Sequence, residues 1–392
     1  MQFDLVYICD WLPPDFGAVG QYQLQFARQR AGLGYRVVLI GLSSAASSIE
    51  TEAHGAGNLT IYRLYAPVYD KMSFRTRMLW TLKTDWRLVL TAGRFARRAS
   101  EIRFTGSPPF LLHFVFVSNL IWRTRLVYRI TDFWPECMMA DLPKVPLWLR
   151  LLWNLTCVLR RRVDRFEALG YDQRNRLEAI GITPERISIV RDPPPVAFAG
   201  NETPLPVPVE LDGRVILLYS GNWGIAHEID TFIEGYLKHH REGSGRIGLW
   251  LNAVGSSADQ VERRLREHGL PVARTRPLPL ADLPRLLITP HAHLITLKDA
   301  FVGYVLPSKV HGCIASGRPI LFVGSEDSDV HLLCTQASPR LLYERVAVGD
   351  GEGVYNSLET LVRWAEARSE NPPANLTQTA ACHLLKSRGS RG

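Results

Sequence analysis

Asp132 and Glu136 lie four residues apart in Ile130-Thr-Asp-Phe-Trp-Pro-Glu136, directly after the apolar run Leu126–Ile130. A carboxylate at a strand end, beside a bulky tryptophan, can act as general base on a hydroxyl when desolvation raises its pKa. The plainer alternative makes Asp132 a helix cap and Glu136 a first-turn acid, and the string alone leaves both open. A second group lies in Val305-Leu-Pro-Ser-Lys309. Ser308, after Pro307, is expected to cap a helix and leave the N–H groups of Lys309 and Val310 free. Together with the Lys309 ammonium, that end would suit a diphosphate. Gly17-Ala-Val-Gly20 and Gly221-Asn-Trp-Gly224 each follow an apolar run and open a helical pattern. Glycines there let backbone N–H groups approach a phosphate or sugar, and Asn222 and His227 could reach the same phosphates. Neither turn has the G-x-G-x-x-G spacing, so a plain tight turn is the alternative at both.

Metal chemistry is not expected. Asp327-Ser-Asp329 has D-x-D spacing but sits in a Ser/Asp loop that reads as solvated, and the histidines show no paired spacing. The six cysteines, at 9, 137, 157, 313, 334 and 382, form no C-x-x-C pair, which argues against a zinc site or disulfide framework and for a reducing compartment.

The elements that position these residues follow a repeated pattern. Leu5–Cys9, a glycine turn, a helix over about 21–33 and the run Tyr35–Gly41 are matched by Arg214–Ser220, a glycine turn, a helix over about 229–240 and Ile247–Val254. Short apolar strands alternating with helices predict parallel sheets buried on both faces. At 392 residues two cores are the default. Arg191–Pro208 holds six prolines in 18 residues, so it can be neither a helix nor a central strand. The expected division is 1–195, a linker over 196–209, 210–370 and a tail over 371–392. Two open α/β domains facing across a cleft would bind ligand on loops beyond the carboxyl ends of their strands.

The chain carries a formal charge of +8. Residues 71–104 hold nine Lys/Arg against Asp85 and Glu101, interleaved with Trp80, Trp86 and several leucines. Such a stretch can lie on an anionic membrane or be a solvated helix face. No nucleic-acid motif accompanies the charge, and nucleic acid is not an expected partner. No apolar run reaches the ~18–20 residues of a spanning helix. The strand at the N-terminus leaves no room for a signal peptide, so a cytoplasmic protein is expected, with peripheral contact on the inner face of the membrane as the membrane reading.

Taken together, these strings resemble family 4 glycosyltransferases of the GT-B fold, in the bacterial branch that builds O-antigen and exopolysaccharide. The resemblance rests on Pro14–Gly20, Thr105–Phe110 and Asp132-Phe-Trp-Pro-Glu136, which is similar to that branch's D-L-W-P-E. In the second half it rests on Tyr219–Gly224, Val305–Lys309 and Ala315–Pro319. It implies a nucleotide-sugar co-substrate, UDP- or GDP-linked, held by the C-terminal domain, and no essential metal or cofactor. It further implies retaining transfer to a glycan or polyprenyl-diphosphate-linked acceptor held by the N-terminal domain, in surface polysaccharide synthesis. Gly17 and Gly20 inherit a place near the donor diphosphate. Thr131 falls where relatives carry a histidine, and Asp132 is the substitute. The chain departs from the family at its E-x7-E pair, which falls on Tyr304 and Gly312. That departure keeps a nucleotide-sugar epimerase and an inactive carbohydrate- or lipid-head-group-binding homologue as alternatives.

Overall fold

The structure is a computed structural model, and it describes residues 2–15, 18–67 and 74–370. Gly17 and the tail 371–392 therefore lie outside the described residues.

β-branched and aromatic runs bounded by polar turns form the strands, as their pleated, half-buried surfaces favour. In the first half they give β1 (Phe3–Trp11), α1 (Ala18–Gly32), β2 (Arg36–Ser43), β3 (Ser48–His54), β4 (Gly57–Tyr65), α2 (Phe74–Ala96), β5 (Ala99–Thr105) and α3 (Leu111–Trp122). The chain continues through β6 (Arg125–Ile130), α4 (Glu136–Met139), α5 (Leu147–Arg161), β7 (Arg165–Ala168), α6 (Tyr171–Ala179) and β8 (Ile187–Ile189). The second half forms β9 (Val215–Asn222), α7 (Asp230–Glu242), β10 (Ile247–Val254), α8 (Ser256–Glu267), β11 (Val272–Thr275) and α9 (Leu283–Ile288). It ends with β12 (Ala292–Thr296), α10 (Lys309–Ser316), β13 (Ile320–Val323), α11 (Asp329–Thr335), β14 (Tyr343–Val346) and α12 (Gly351–Glu370).

Contacts divide the chain into one unit of residues up to Pro193 with Gly303–Leu306, and a second of Pro194–Val302 with the chain from Pro307 onward. The first unit is an eight-stranded sheet, β3-β4-β2-β1-β5-β6-β7-β8. Its pairs are parallel except β3 with β4. That antiparallel edge hairpin, turning at Gly55, is an addition to the expected all-parallel sheet. The second unit is a six-stranded parallel sheet, β11-β10-β9-β12-β13-β14.

The central strands are buried on both faces, with successive residues turned to opposite cores, as a doubly wound sheet requires. Val6, Ile8, Val38 and Ile40 face one core with α2 and α3 residues such as Leu88, Val89 and Val115. Leu5, Tyr7, Val37 and Leu39 face the other core with Leu24, Ala27 and Ala31 of α1. In the second unit Leu217, Tyr219 and Leu249 pack under α7, α8 and α12, while Ile216, Leu218 and Trp250 pack against Leu286 of α9.

The α7–α12 contact tolerates no added volume. A Cβ on Gly235 would stand 2.4 Å from Val354 Cβ and 2.7 Å from the Gly351 carbonyl. Gly235→Ala is expected to destabilise the protein by about 1–3 kcal/mol despite alanine's better helix propensity. Urea unfolding of the two proteins checks it, and an unchanged or raised midpoint would contradict this packing.

Candidate active site

In each sheet the winding direction reverses once, between β1 and β5 in the first unit and between β9 and β12 in the second. Loops leaving the carboxyl ends of the strands there run to opposite faces and leave a crevice, where ligands of such sheets bind.

In the first unit that position collects carboxyl groups. Asp10, at the end of β1, accepts a hydrogen bond from the Ser107 hydroxyl at 2.7 Å in the loop after β5, and its other oxygen has no partner among the described residues. Burial, reinforced by the charge of Asp132, pushes its pKa up to about 7. Asp132, after β6, is half-buried, and burial raises it to about 6. The β5 and β6 loops pass so closely that a Cβ on Gly106 would stand 2.7 Å from the Asp132 carbonyl. Phe110, which opens α3, is held at φ 72°, a left-handed conformation costly for an aromatic residue and common at functional loops. Asp132 also pairs as an antiparallel bridge with Val305, and the Phe133 N–H donates to the Tyr304 carbonyl at 3.0 Å.

Glu136 requires a correction. Its carboxylate is buried and gripped by the Arg160 guanidinium through both oxygens, one contact measuring 3.0 Å, and the Trp153 indole N–H donates to it at 3.1 Å. Arg160 is fully buried and also donates to the Trp134 carbonyl at 2.9 Å. A buried carboxylate already accepting three hydrogen bonds, two of them from one guanidinium, is committed to structure, so Glu136 fixes the loop and Asp132 is the less engaged of the two acids.

In the second unit the expected residues Gly221, His227 and Lys309 converge on one aromatic platform. Tyr219 stacks on Trp223 with centroids 3.7 Å apart and planes 11° from parallel. The Lys309 ammonium sits over the Tyr219 ring, 3.2 Å from its centroid, a cation–π contact. Its nitrogen is buried with no hydrogen-bond partner among the described residues, and burial holds its pKa well below the usual lysine value. Gly221 has φ 109°, and a Cβ there would lie 4.0 Å from Lys309 Cε, so glycine keeps the strand end both bendable and open above the lysine. His227 stands edge-on to Tyr219, and its Nδ1–H donates to the Thr296 carbonyl at 2.5 Å. Burial and the Lys309 charge lower its pKa to about 3. It is therefore neutral, with Nδ1 committed to the Thr296 carbonyl, and brings no positive charge to a phosphate. Asn222 is exposed, with its side chain beside Gly224 and the Gly255 turn.

Three further expectations change. Ser308 adopts helical dihedrals (φ −57°, ψ −22°) and its hydroxyl caps nothing. The Val310 N–H is taken by the Pro307 carbonyl at 3.1 Å, and its side chain is fully buried. The N–H groups left without a described partner are those of Ser308 and Lys309, one position earlier than expected. Gly20 lies inside α1, where a Cβ would meet the Trp11 carbonyl oxygen at 1.8 Å; its bareness serves the crossing of helix and strand.

Asp10 and the Tyr219–Trp223 platform were not singled out in the sequence. An acid closing the otherwise apolar run Leu5–Cys9 was the available signal for the first. In Asp327-Ser-Asp329 the Ser328 hydroxyl caps α11 by accepting from the Val330 N–H, and among the described residues no group of three His, Cys, Asp or Glu is placed to share an ion.

No protein-family model and no curated protein matches this chain. Solved structures do. A HepE protein of Anabaena, in complex with UDP and glucose, has TM-score 0.61 at 10% identity, covering 93% of this chain and 91% of that one. An α,α-trehalose-phosphate synthase (UDP-forming) from Burkholderia vietnamiensis has TM-score 0.60 at 12% identity, covering 94% and 92%. A Listeria monocytogenes protein described as a UDP-N-acetylglucosamine 2-epimerase has TM-score 0.57 at 11% identity, covering 96% and 93%. At these identities the likeness defines the fold, which is GT-B: two α/β units, one on a mixed and one on a parallel sheet.

Two tests follow from this geometry. Arg160→Met would leave the Glu136 carboxylate buried and unpaired and is expected to cost about 3–5 kcal/mol of stability, read by denaturant unfolding. Asp10 and Asp132 bind protons more tightly folded than unfolded, so their contribution to stability is full below the ordinary carboxylate range near ~4 and is lost as pH rises towards 7. Asp10→Asn is therefore expected to raise the melting temperature at pH 8 and leave it nearly unchanged at pH 4. An equal effect at both pH values would mean Asp10 is ordinarily ionised.

Proposed function

We propose that this protein is a glycosyltransferase that moves a sugar from a nucleoside-diphosphate-sugar to an acceptor hydroxyl. The observation that carries the reading is the buried Lys309 ammonium, unpaired among the described residues, on the Tyr219–Trp223 stack at the reversal of the second sheet. Burial without a counter-ion disfavours the charged form of Lys309, and an anion arriving there draws it back to the ammonium. Lys309 and the N–H groups of Ser308 and Lys309 form a preset positive group for a diphosphate. The same group stabilises the charge that develops on the diphosphate as the sugar leaves.

Asp132, with a pKa near 6, is ionised at neutral pH yet still basic enough to take a proton from the acceptor hydroxyl. Asp10, near 7 and hydrogen-bonded to Ser107, is kept partly protonated by burial and by the charge of Asp132 beside it. The similarity of fold to proteins that carry UDP or UDP-glucose in their structures supports a nucleotide-linked donor. The finer assignment rests on the motif resemblance: a retaining, metal-independent family 4 enzyme of surface polysaccharide synthesis, using a UDP- or GDP-sugar and a glycan or polyprenyl-diphosphate-linked acceptor.

Calorimetric titration with UDP, GDP and their sugars tests the donor half. Lys309→Met is expected to weaken the preferred nucleotide at least about tenfold, or ~1.4 kcal/mol, and unchanged affinity would remove the observation on which the reading rests. Asp132→Asn is expected to keep donor affinity and lose transfer. The epimerase reading has one support, the Listeria relative in fold, and it predicts conversion of the nucleotide-sugar without acceptor. A donor consumed only when an acceptor is present decides against it.

A further inference from the structure

Helices α2, α3 and α5 lie side by side on one face of the first sheet. Leu88 and Val89 of α2, Val115 of α3 and Leu159 of α5 share its core. A surface helix normally turns a polar face outward. These three do not. On α2, Leu79, Trp86 and Leu90 are exposed. On α3, Val117, Leu120 and Ile121 are each 63% exposed. On α5, Leu147, Trp148, Leu151, Leu155 and Val158 are exposed at spacings of one, three, four and three residues, a continuous helical stripe opposite the buried Leu149 and Cys157. The apolar surface thus runs across three neighbouring helices, where a monomeric soluble protein usually scatters such residues singly.

The charge on these helices has one sign. Lys83 and Arg94 of α2, Arg123 after α3, and Arg150 of α5 are exposed, while in the segment before α5 exposed Lys144 is matched by exposed Asp141. The three helices contain a single acid, Asp85. Asp85 is fully buried, and burial pushes its pKa well up, so it brings no negative charge to the surface. Exposed tryptophan and leucine with cations, and no exposed acid on the helices themselves, is the composition that an anionic lipid interface recognises: the side chains enter the head-group and acyl boundary while the cations meet lipid phosphates. A protein partner would require acids on its own surface to meet these cations.

We infer that the outward face of α2, α3 and α5 is a monotopic docking surface for an anionic lipid bilayer. This goes beyond the basic stretch 71–104 seen in sequence, because most of the exposed apolar side chains belong to α3 and α5. It does not depend on the transfer reaction, since lipid binding can be read on the protein without a substrate.

The test is flotation of the full chain with vesicles of phosphatidylcholine alone, or with about one-third phosphatidylglycerol. The protein is expected to float with the anionic vesicles and remain largely below the neutral ones, and added salt should weaken binding because cations and lipid phosphates are screened beyond about 10 Å at 0.1 M. Leu151→Glu with Leu155→Glu is expected to reduce bound protein about tenfold or more, since both residues lie in the apolar stripe. These sites are exposed, so the melting temperature should hold, and Val209→Glu, on an exposed leucine-like site of the second unit, should bind as the parent does. Should the paired variant lose folding, Leu120→Glu on α3 repeats the measurement. Equal binding to neutral and anionic vesicles, or no flotation with either, would overturn the inference. So would sedimentation as a dimer that the α5 substitutions split while vesicle binding is unchanged, which would make the face a contact between copies.

Discussion

A sheet wound in both directions has one place where successive crossovers part, and right-handed connections force the loops on either side to run to opposite faces. Nearly every unusual feature of this chain gathers at the two such places. In the first unit they are Asp10 with Ser107, the left-handed Phe110 and the close pass of Gly106 beneath Asp132. In the second they are the bent strand end at Gly221, the tie from His227 to Thr296 and the lysine over Tyr219. Elsewhere buried charge on the strands is paired, Arg103 and Arg129 with Glu167 and Asp192, and apart from Asp85 of α2 the unpaired buried acids and the lysine lie where the backbone leaves space for a ligand.

Arg160 and the covered nitrogen of Lys309 show two ways in which such groups are tolerated. Arg160 is completely buried, but Glu136, Trp134 and the Phe133 ring satisfy it, and the pair locks the loop between β6 and α5. Lys309 is buried with only an aromatic face for company. A matched ion pair in the interior is close to neutral for stability, whereas an unmatched charge is a standing cost that a ligand can remove. The same holds for Asp10 and Asp132, whose carboxyls are kept in surroundings that favour the proton. Stability is given up at these positions, which is the usual character of a site arranged before its substrate arrives.

The architecture was legible because period and punctuation are local. Apolar runs, glycine turns and the Pro-rich segment predicted two α/β domains, and the positions of Gly221, His227 and Lys309 relative to the strands pointed to the neighbourhood in which they lie together. What could not be read depends on partners distant in sequence. Nothing in Asp132–Glu136 indicates that Arg160, 24 residues on, claims Glu136, or that desolvation leaves Asp132 half protonated near pH 6. The β3–β4 hairpin was missed because Ser48–His54 is polar and mostly exposed, with no apolar alternation to mark an edge strand. Ser308 was misjudged for a different reason: a serine after proline has the composition of a cap, but its dihedrals are helical, so the helix draws its first acceptor from Pro307.

The outward surface of the first unit is mechanically joined to its carboxyl cluster. Ser107, which donates to Asp10, leads through Pro108 and Phe110 straight into α3. His113 of α3 lies 3.2 Å from the Phe110 carbonyl and 3.0 Å from the Thr156 hydroxyl of α5, joining the two helices beneath their exposed faces. Arg160, one turn beyond Thr156, holds Glu136 and Trp134 and so sets the loop that carries Asp132. The helices whose outer sides are apolar are therefore the ones whose inner sides fix both acids. A bilayer bound to α3 and α5 would sit at a defined distance and angle from Asp10 and Asp132, because only rigid helix and buried hydrogen bonds lie between. For an acceptor anchored in lipid, that arrangement restricts the approach of the reacting hydroxyl without any contact to the rest of the glycan, and positioning alone can account for a large share of a transfer rate.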